Sequence, residues 1–137
     1  MKKTIFTVLL ATLALVSCRT TPPVITEKLT VAGYFQKAQD ASEEGDYLLA
    51  LAYYDAFRAE FPNDRDHNLW ATYETAFLQY KLEKYDTALE MINGLLDRYA
   101  KETDLPQAPK VLAEKVKAKI IESQAKRAPA PAPAPKQ

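Results

Sequence analysis

This 137-residue chain has only three glycines, one cysteine and one histidine. Sandwiches and barrels need many Gly-bearing turns, and Gly33 and Gly94 lie inside apolar stretches, so an all-β fold is not expected. A lone cysteine cannot close an internal disulfide, and a lone histidine gives no metal cluster. Net charge is also missing, because 18 Lys+Arg balance 18 Asp+Glu. G-x-S-x-G, P-loop and H-E-x-x-H motifs are absent, and no carboxylate pair is marked as coupled, so neither catalysis nor a cofactor is expected. What is present is an ordinary globular share of apolar residues, 47%, in a length that allows one domain.

The zero charge is an average over unlike segments. Met1-Lys2-Lys3 is basic, and Ile5 to Val16 then runs without a charge. A helix needs ~20 apolar residues to cross a bilayer core, so this run is too short to span it. A short apolar run behind a basic flank fits the signal peptide expected over residues 1–17. Leu15-Val16-Ser17-Cys18 follows at once and resembles the lipobox of bacterial lipoproteins. The resemblance implies a diacylglyceryl group on the Cys18 thiol, cleavage between Ser17 and Cys18, and an N-acyl chain on the new amino group. One acyl chain binds membranes marginally, with K of roughly 10⁴ M⁻¹, whereas two or more anchor stably. Arg19 follows the cysteine. In enteric-type bacteria, the resemblance implies, a residue other than Asp there favours the outer membrane.

Beyond the cleavage point, residues 19–105 carry a net charge of −7 and residues 106–137 a net of +5. An acidic body with a basic end is expected. Residues 18–29 read as the lipidated cysteine and its tether. The end, Ala128 to Gln137, reads APAPAPAPKQ. Its prolines lack backbone donors and favour an extended polyproline-II path, so residues 127–137 are expected to form a disordered spacer of ~3.1 Å per residue.

Residues 30–126 read as a helical domain. Val31, Tyr34, Phe35, Ala38 and Ala41 recur at three- and four-residue steps from Thr30 to about Glu44. Gly45-Asp46 breaks the pattern. Tyr47 to Phe61 carries Leu51, Tyr54, Phe57 and Phe61 on one side, and Pro62 ends it. A third helix is predicted from about Asp66 to Leu82 and a fourth from Tyr85 to Lys101. A fifth starts after Pro106 or Pro109 and ends near Lys126.

Two of these pairs repeat. Gly45-Asp46-Tyr47-Leu48-Leu49-Ala50-Leu51 and Glu83-Lys84-Tyr85-Asp86-Thr87-Ala88-Leu89 share a turn followed by Tyr-x-x-Ala-Leu. Ala38 and Ala76 precede the two frames, and Tyr54/Ile92 and Phe57/Leu95 follow them. This pattern resembles the tetratricopeptide repeat over roughly residues 31–101. The longer spacing and the Phe61-Pro62 closure are similar to those of outer-membrane assembly lipoproteins of the BamD kind, pilotins and Tol–Pal-associated periplasmic proteins. The resemblance implies an all-α fold: a short tetratricopeptide-type α-solenoid of two helix–turn–helix repeats plus a C-terminal capping helix.

Trp70, Tyr73, Phe77 and Tyr80 fall within an arc of about 80° on the third helix. The resemblance implies that these four face a groove, together with Phe35 and Gln39 from the matching positions Ala32, Phe35, Gln39 and Ser42. It also makes Thr72, Thr75, Ala76 and Gln79 the packing positions, although these are small or polar. Either the repeat register is shifted by one residue, with the aromatics in the core, or the groove is unusually aromatic. An exposed patch of this kind is a partner site for a helix or an extended peptide. Asp64, Asp66 and His67 form too thin a set for a metal, and Asp64 and Asp66 suit a turn and an N-cap. Glu43, Glu44 and Asp46 read as a solvated helix end.

The expected activity is that of a membrane-anchored scaffold for an envelope protein or peptide, acting in outer-membrane assembly or maintenance, with its domain in the periplasm or at the cell surface. The alternative is an accessory lipoprotein that holds a small apolar molecule in an aromatic pocket. A third role is a tether whose basic tail reaches the cell wall. Nucleic acid is not an expected partner for a net-negative exported protein.

On the fifth helix, Leu112, Val116 and Ile120 form one stripe, with Val111 and Ile121 beside it and lysines on much of the rest. Each of these five side chains is expected to contribute ~1.5–3 kcal/mol by burial. Deleting residues 106–137 is therefore expected to unfold the domain, and deleting 128–137 is not. Thermal melting of the two truncations checks this.

Overall fold

The computed structural model describes residues 21–127, so the signal segment, Ser17, Cys18 and the Pro/Ala tail lie outside the described residues. Within them the protein is all-helical and has no strand. Five helices follow in order: α1 (Val31–Glu43), α2 (Tyr47–Glu60), α3 (Arg65–Lys81), α4 (Tyr85–Lys101) and α5 (Gln107–Arg127). The starts of α1, α2 and α3 are set by side-chain caps. Thr30 Oγ1 accepts from the Gly33 N–H at 3.1 Å, Asp46 Oδ1 from Leu49 at 3.0 Å and Asp64 Oδ1 from His67 at 3.2 Å. Each satisfies one donor that a helix leaves free at its first turn.

The two hairpins close in the same way. After α1, the N–H groups of Glu44, Gly45 and Asp46 donate to the carbonyls of Asp40, Ser42 and Ala41. After α3, those of Leu82, Glu83 and Lys84 donate to Leu78, Tyr80 and Gln79, 38 positions later in every case. Gly45 has φ +81 and Glu83 has φ +60, so both turns need a left-handed residue. Glycine takes that conformation without penalty, whereas Glu83 takes it at a steric cost.

Packing divides into two clusters. The first joins Tyr34, Ala38 and Ala41 of α1 to Ala50, Leu51, Tyr54 and Phe57 of α2, and to Ala71 and Leu78 of α3. The second joins Leu69, Tyr73 and Ala76 of α3 to Ala88, Ile92 and Leu95 of α4, and to Ala113, Val116 and Ile120 of α5. Thus α3 faces both clusters. The chain before α1 does not hang free: Ile25 and Leu29 pack on the first cluster. Tyr34 Oη donates to the Glu27 carbonyl at 3.1 Å, and Tyr53 Oη donates to the Glu27 carboxylate at 3.0 Å. Residues 25–29 thus lie against the first hairpin.

Helix α5 runs in the same direction as α3. Near its start, the Arg65 guanidinium donates to the carbonyls of Thr103 and Asp104. At its end, Arg127 pairs with Glu83 at 2.7 Å and stands over the Tyr85 ring, while Gln124 donates to Asp86. Its buried face is narrower than expected. Pro109, Ala113, Val116 and Ile120 are buried, and Leu112 packs partly. Val111 and Ile121, expected to be inward, are 46% and 52% exposed. At 100° per residue they stand well round the helix from Ile120 and Val116, beyond the reach of α3 and α4.

These positions predict unequal costs. Ile120→Ala removes a fully buried side chain and is expected to cost about 2–5 kcal/mol. Ile121→Ala is expected to stay within about 0.5 kcal/mol. Urea unfolding of both variants checks the assigned face of α5.

Candidate functional site

Helices α1 and α3 run side by side in the same sense, with a cleft between them. One end of the cleft brings Val31 and Phe35 opposite His67 and Trp70, and Gln39 and Glu74 also line it; its volume is about 530 Å³. Farther along, Gln39 and Glu74 also line a hollow of about 310 Å³ with Ser42, Glu43, Tyr54 and Leu78. The shared residues make the two a continuous trough. Its lip at the α1 end is apolar and aromatic, and its far end is acidic.

Phe35 holds one wall in place. Its ring meets Tyr54 at 5.3 Å and Phe57 at 5.1 Å, both edge-on, and His67 at 5.8 Å. Such edge-to-face pairs add ~0.5–1.5 kcal/mol beyond burial. The His67 ring is itself tied through Nδ1 to the Asp64 carboxylate at 2.9 Å. This contact first of all holds the Asp64 carboxyl below its usual range. The same carboxylate caps α3, so Asp64 and His67 act here in helix capping and wall positioning.

Glu74 is the trough's distinctive charge. It is half-buried and midway along α3, and burial alone pushes its carboxyl pKa up. Its charge also raises the phenol of Tyr54, for which burial is the larger cause, and that of Tyr73 in the same way. No hydrogen-bond or ion-pair partner for Glu74 is found among the described residues. No Lys or Arg lines either half of the trough. A carboxylate without a cation or donor, in a partly dry site, is unfavourable as it stands.

The residues expected to share a groove are divided by the structure. Phe35, Gln39 and Trp70 do line one cleft. Tyr73 is 8% exposed and stacks on Phe77 at 6.3 Å. Phe77 and Tyr80 pack partly against the second cluster, and Tyr80 meets Tyr85 at 5.9 Å. These three are not trough residues. Trp70 stands at one edge of the aromatic arc, where it lines the cleft and also packs on the second cluster edge-on to Tyr73, and the other three turn farther from the cleft. Glu74 and His67 turn about 40–60° the other way, into the trough. Of the packing positions read from the repeat, Thr75 and Ala76 are buried. Sequence reasoning missed Glu74 altogether and weighed His67 only as a metal ligand. The available signal was spacing: Trp70 and Glu74 stand four apart on one helix, as do Phe35 and Gln39 on the other. Ser17 and Cys18 lie outside the described residues. No group of three or more metal-ligating side chains is found among the described residues.

No family model, curated protein or solved structure matches the chain.

The raised Glu74 carboxyl has a consequence for stability. A carboxyl whose folded pKa lies above its unfolded value binds more protons in the native state than in the unfolded state. Stability from this group is then present at low pH and is lost as pH rises through the ordinary Glu range and above. Glu74→Gln is expected to remove this fall and to leave the protein at least as stable at neutral pH. Melting temperatures of wild type and variant across pH 4 to 8 test this, with converging curves at low pH as the expected result.

Proposed function

We propose that this chain is a membrane-anchored lipoprotein that works as a protein–protein interaction scaffold in the cell envelope, in outer-membrane assembly or maintenance. The observation that carries the binding half of this reading is the open trough between α1 and α3, lined by Phe35, Gln39, Trp70 and Glu74. Its walls come from two helices, α1 in the first packing cluster and α3 shared by both clusters. A trough open along its length suits a peptide segment better than an enclosed apolar molecule. Aromatic anchors beside polar groups are the composition of energetically important interface positions.

The anchoring half rests on the lipobox-like LVSC and on Cys18 as the sole thiol. With two or more acyl chains the domain is held at a membrane surface, and its trough samples partners near that surface. No described helix is long and apolar enough to cross a membrane.

Two measurements test the halves separately. Metabolic labelling with radioactive palmitate is expected to mark the wild type and not Cys18→Ser, and an equally labelled variant contradicts the anchor. Cross-linking in intact cells is expected to trap a partner with the wild type and to lose most of it with Trp70→Ala; because Trp70 also packs edge-on to Tyr73, a melting curve of the variant checks that it is folded. Retained trapping with retained stability contradicts the trough.

A further inference from the structure

The trough also specifies the chemistry of its occupant. Its charged lining consists of Glu74 in the middle and Glu43 at the far end, and the body around it is acidic. Trp70 lies one helical turn before Glu74 on the same face of α3, and Phe35 faces it from α1. Such a site offers a cation a carboxylate partner and aromatic surfaces at once. Arginine meets both demands best, because its planar guanidinium stacks on rings and binds a carboxylate through two parallel N–H groups. Lysine meets only the charge. A free apolar molecule would leave Glu74 buried and still unpaired, which adds a cost to its binding.

Building on the protein-binding reading above, we infer that the trough recognises a segment of a partner protein that presents an arginine beside an apolar side chain. The guanidinium sits on Glu74 against Trp70, and the apolar side chain sits by Val31 and Phe35. Charge complementarity selects this occupant over an acidic segment, which would meet Glu74 and Glu43 with like charge. Such a segment relieves the unfavourable burial of Glu74, so part of its affinity comes from a defect of the free protein.

Trp70 is the sole tryptophan and lines the cleft, so its fluorescence reports occupancy directly. The test titrates the full chain in detergent with two short helical peptides. One carries leucines and arginines on one face, and the other has glutamate at every arginine. The arginine peptide is expected to shift Trp70 emission and to bind about tenfold or more tightly than its counterpart. Glu74→Gln is expected to weaken the arginine peptide about tenfold and to leave the glutamate peptide no weaker. The pH scan of melting temperature described above shows that the variant is folded. Equal binding of the two peptides, or an unchanged arginine affinity in Glu74→Gln, overturns the inference and leaves the protein-binding reading standing. Binding by neither peptide also overturns the inference. If partner trapping in cells is in addition indifferent to Trp70→Ala, the protein-binding reading falls with it.

Discussion

Four alanines set the geometry on which the rest depends. Ala38 and Ala76 sit on the first helices of the two hairpins, and Ala50 and Ala88 on the second helices, each pair 38 positions apart and each residue 0% exposed. Each is fully enclosed, and added volume in a packed core strains it. Because both hairpins close on the same small residues and the same turn hydrogen bonds, α1 and α3 emerge parallel. The trough is the space left between them. The large side chains then fill what the alanines leave: Tyr54 and Phe57 behind one wall, and Tyr73, Ile92 and Ile120 behind the other.

This division explains why one helix can serve both core and site. Helix α3 buries Leu69, Tyr73 and Ala76 on one side and Ala71, Thr75 and Leu78 on the opposite side. Only a narrow strip with His67, Trp70 and Glu74 is left to line the cleft. The cap formed by α5 matters here, because it takes up the side of α3 that carries Tyr73 and Phe77. Without α5 the aromatic arc would be an exposed patch. With it, only Trp70 of that arc lines the trough, beside a carboxylate. The site is therefore amphipathic rather than aromatic, and the distinction changes which ligands it suits.

Much of the fold was legible in the residues. Gly45, Pro62 and the repeated Tyr-x-x-Ala-Leu placed the helices to within about two residues. The limit was rotation about a helix axis. Spacing groups Trp70, Tyr73, Phe77 and Tyr80 on one arc, and nothing in that arc says which neighbour it meets. That depends on where α5 packs, a long-range contact that local periodicity does not encode. The same limit applies to Val111 and Ile121, which are as apolar as Val116 and Ile120 but face solvent. Glu74 was invisible for a different reason. A glutamate within a helix ordinarily reads as a solvated side chain, and its partial burial beside Tyr54 appears only once α1, α2 and α3 are assembled.

The proposed docking face lies between α1 and α3. Photo-cross-linking tests it most directly, with a photoreactive amino acid placed either at Gln39 in the trough or at Ala118 on the outer face of α5. A discrete protein adduct is expected from position 39 that disappears when Trp70→Ala is added, and none from position 118. Adducts from position 118 alone, or adducts from position 39 that persist unchanged in Trp70→Ala, would contradict it.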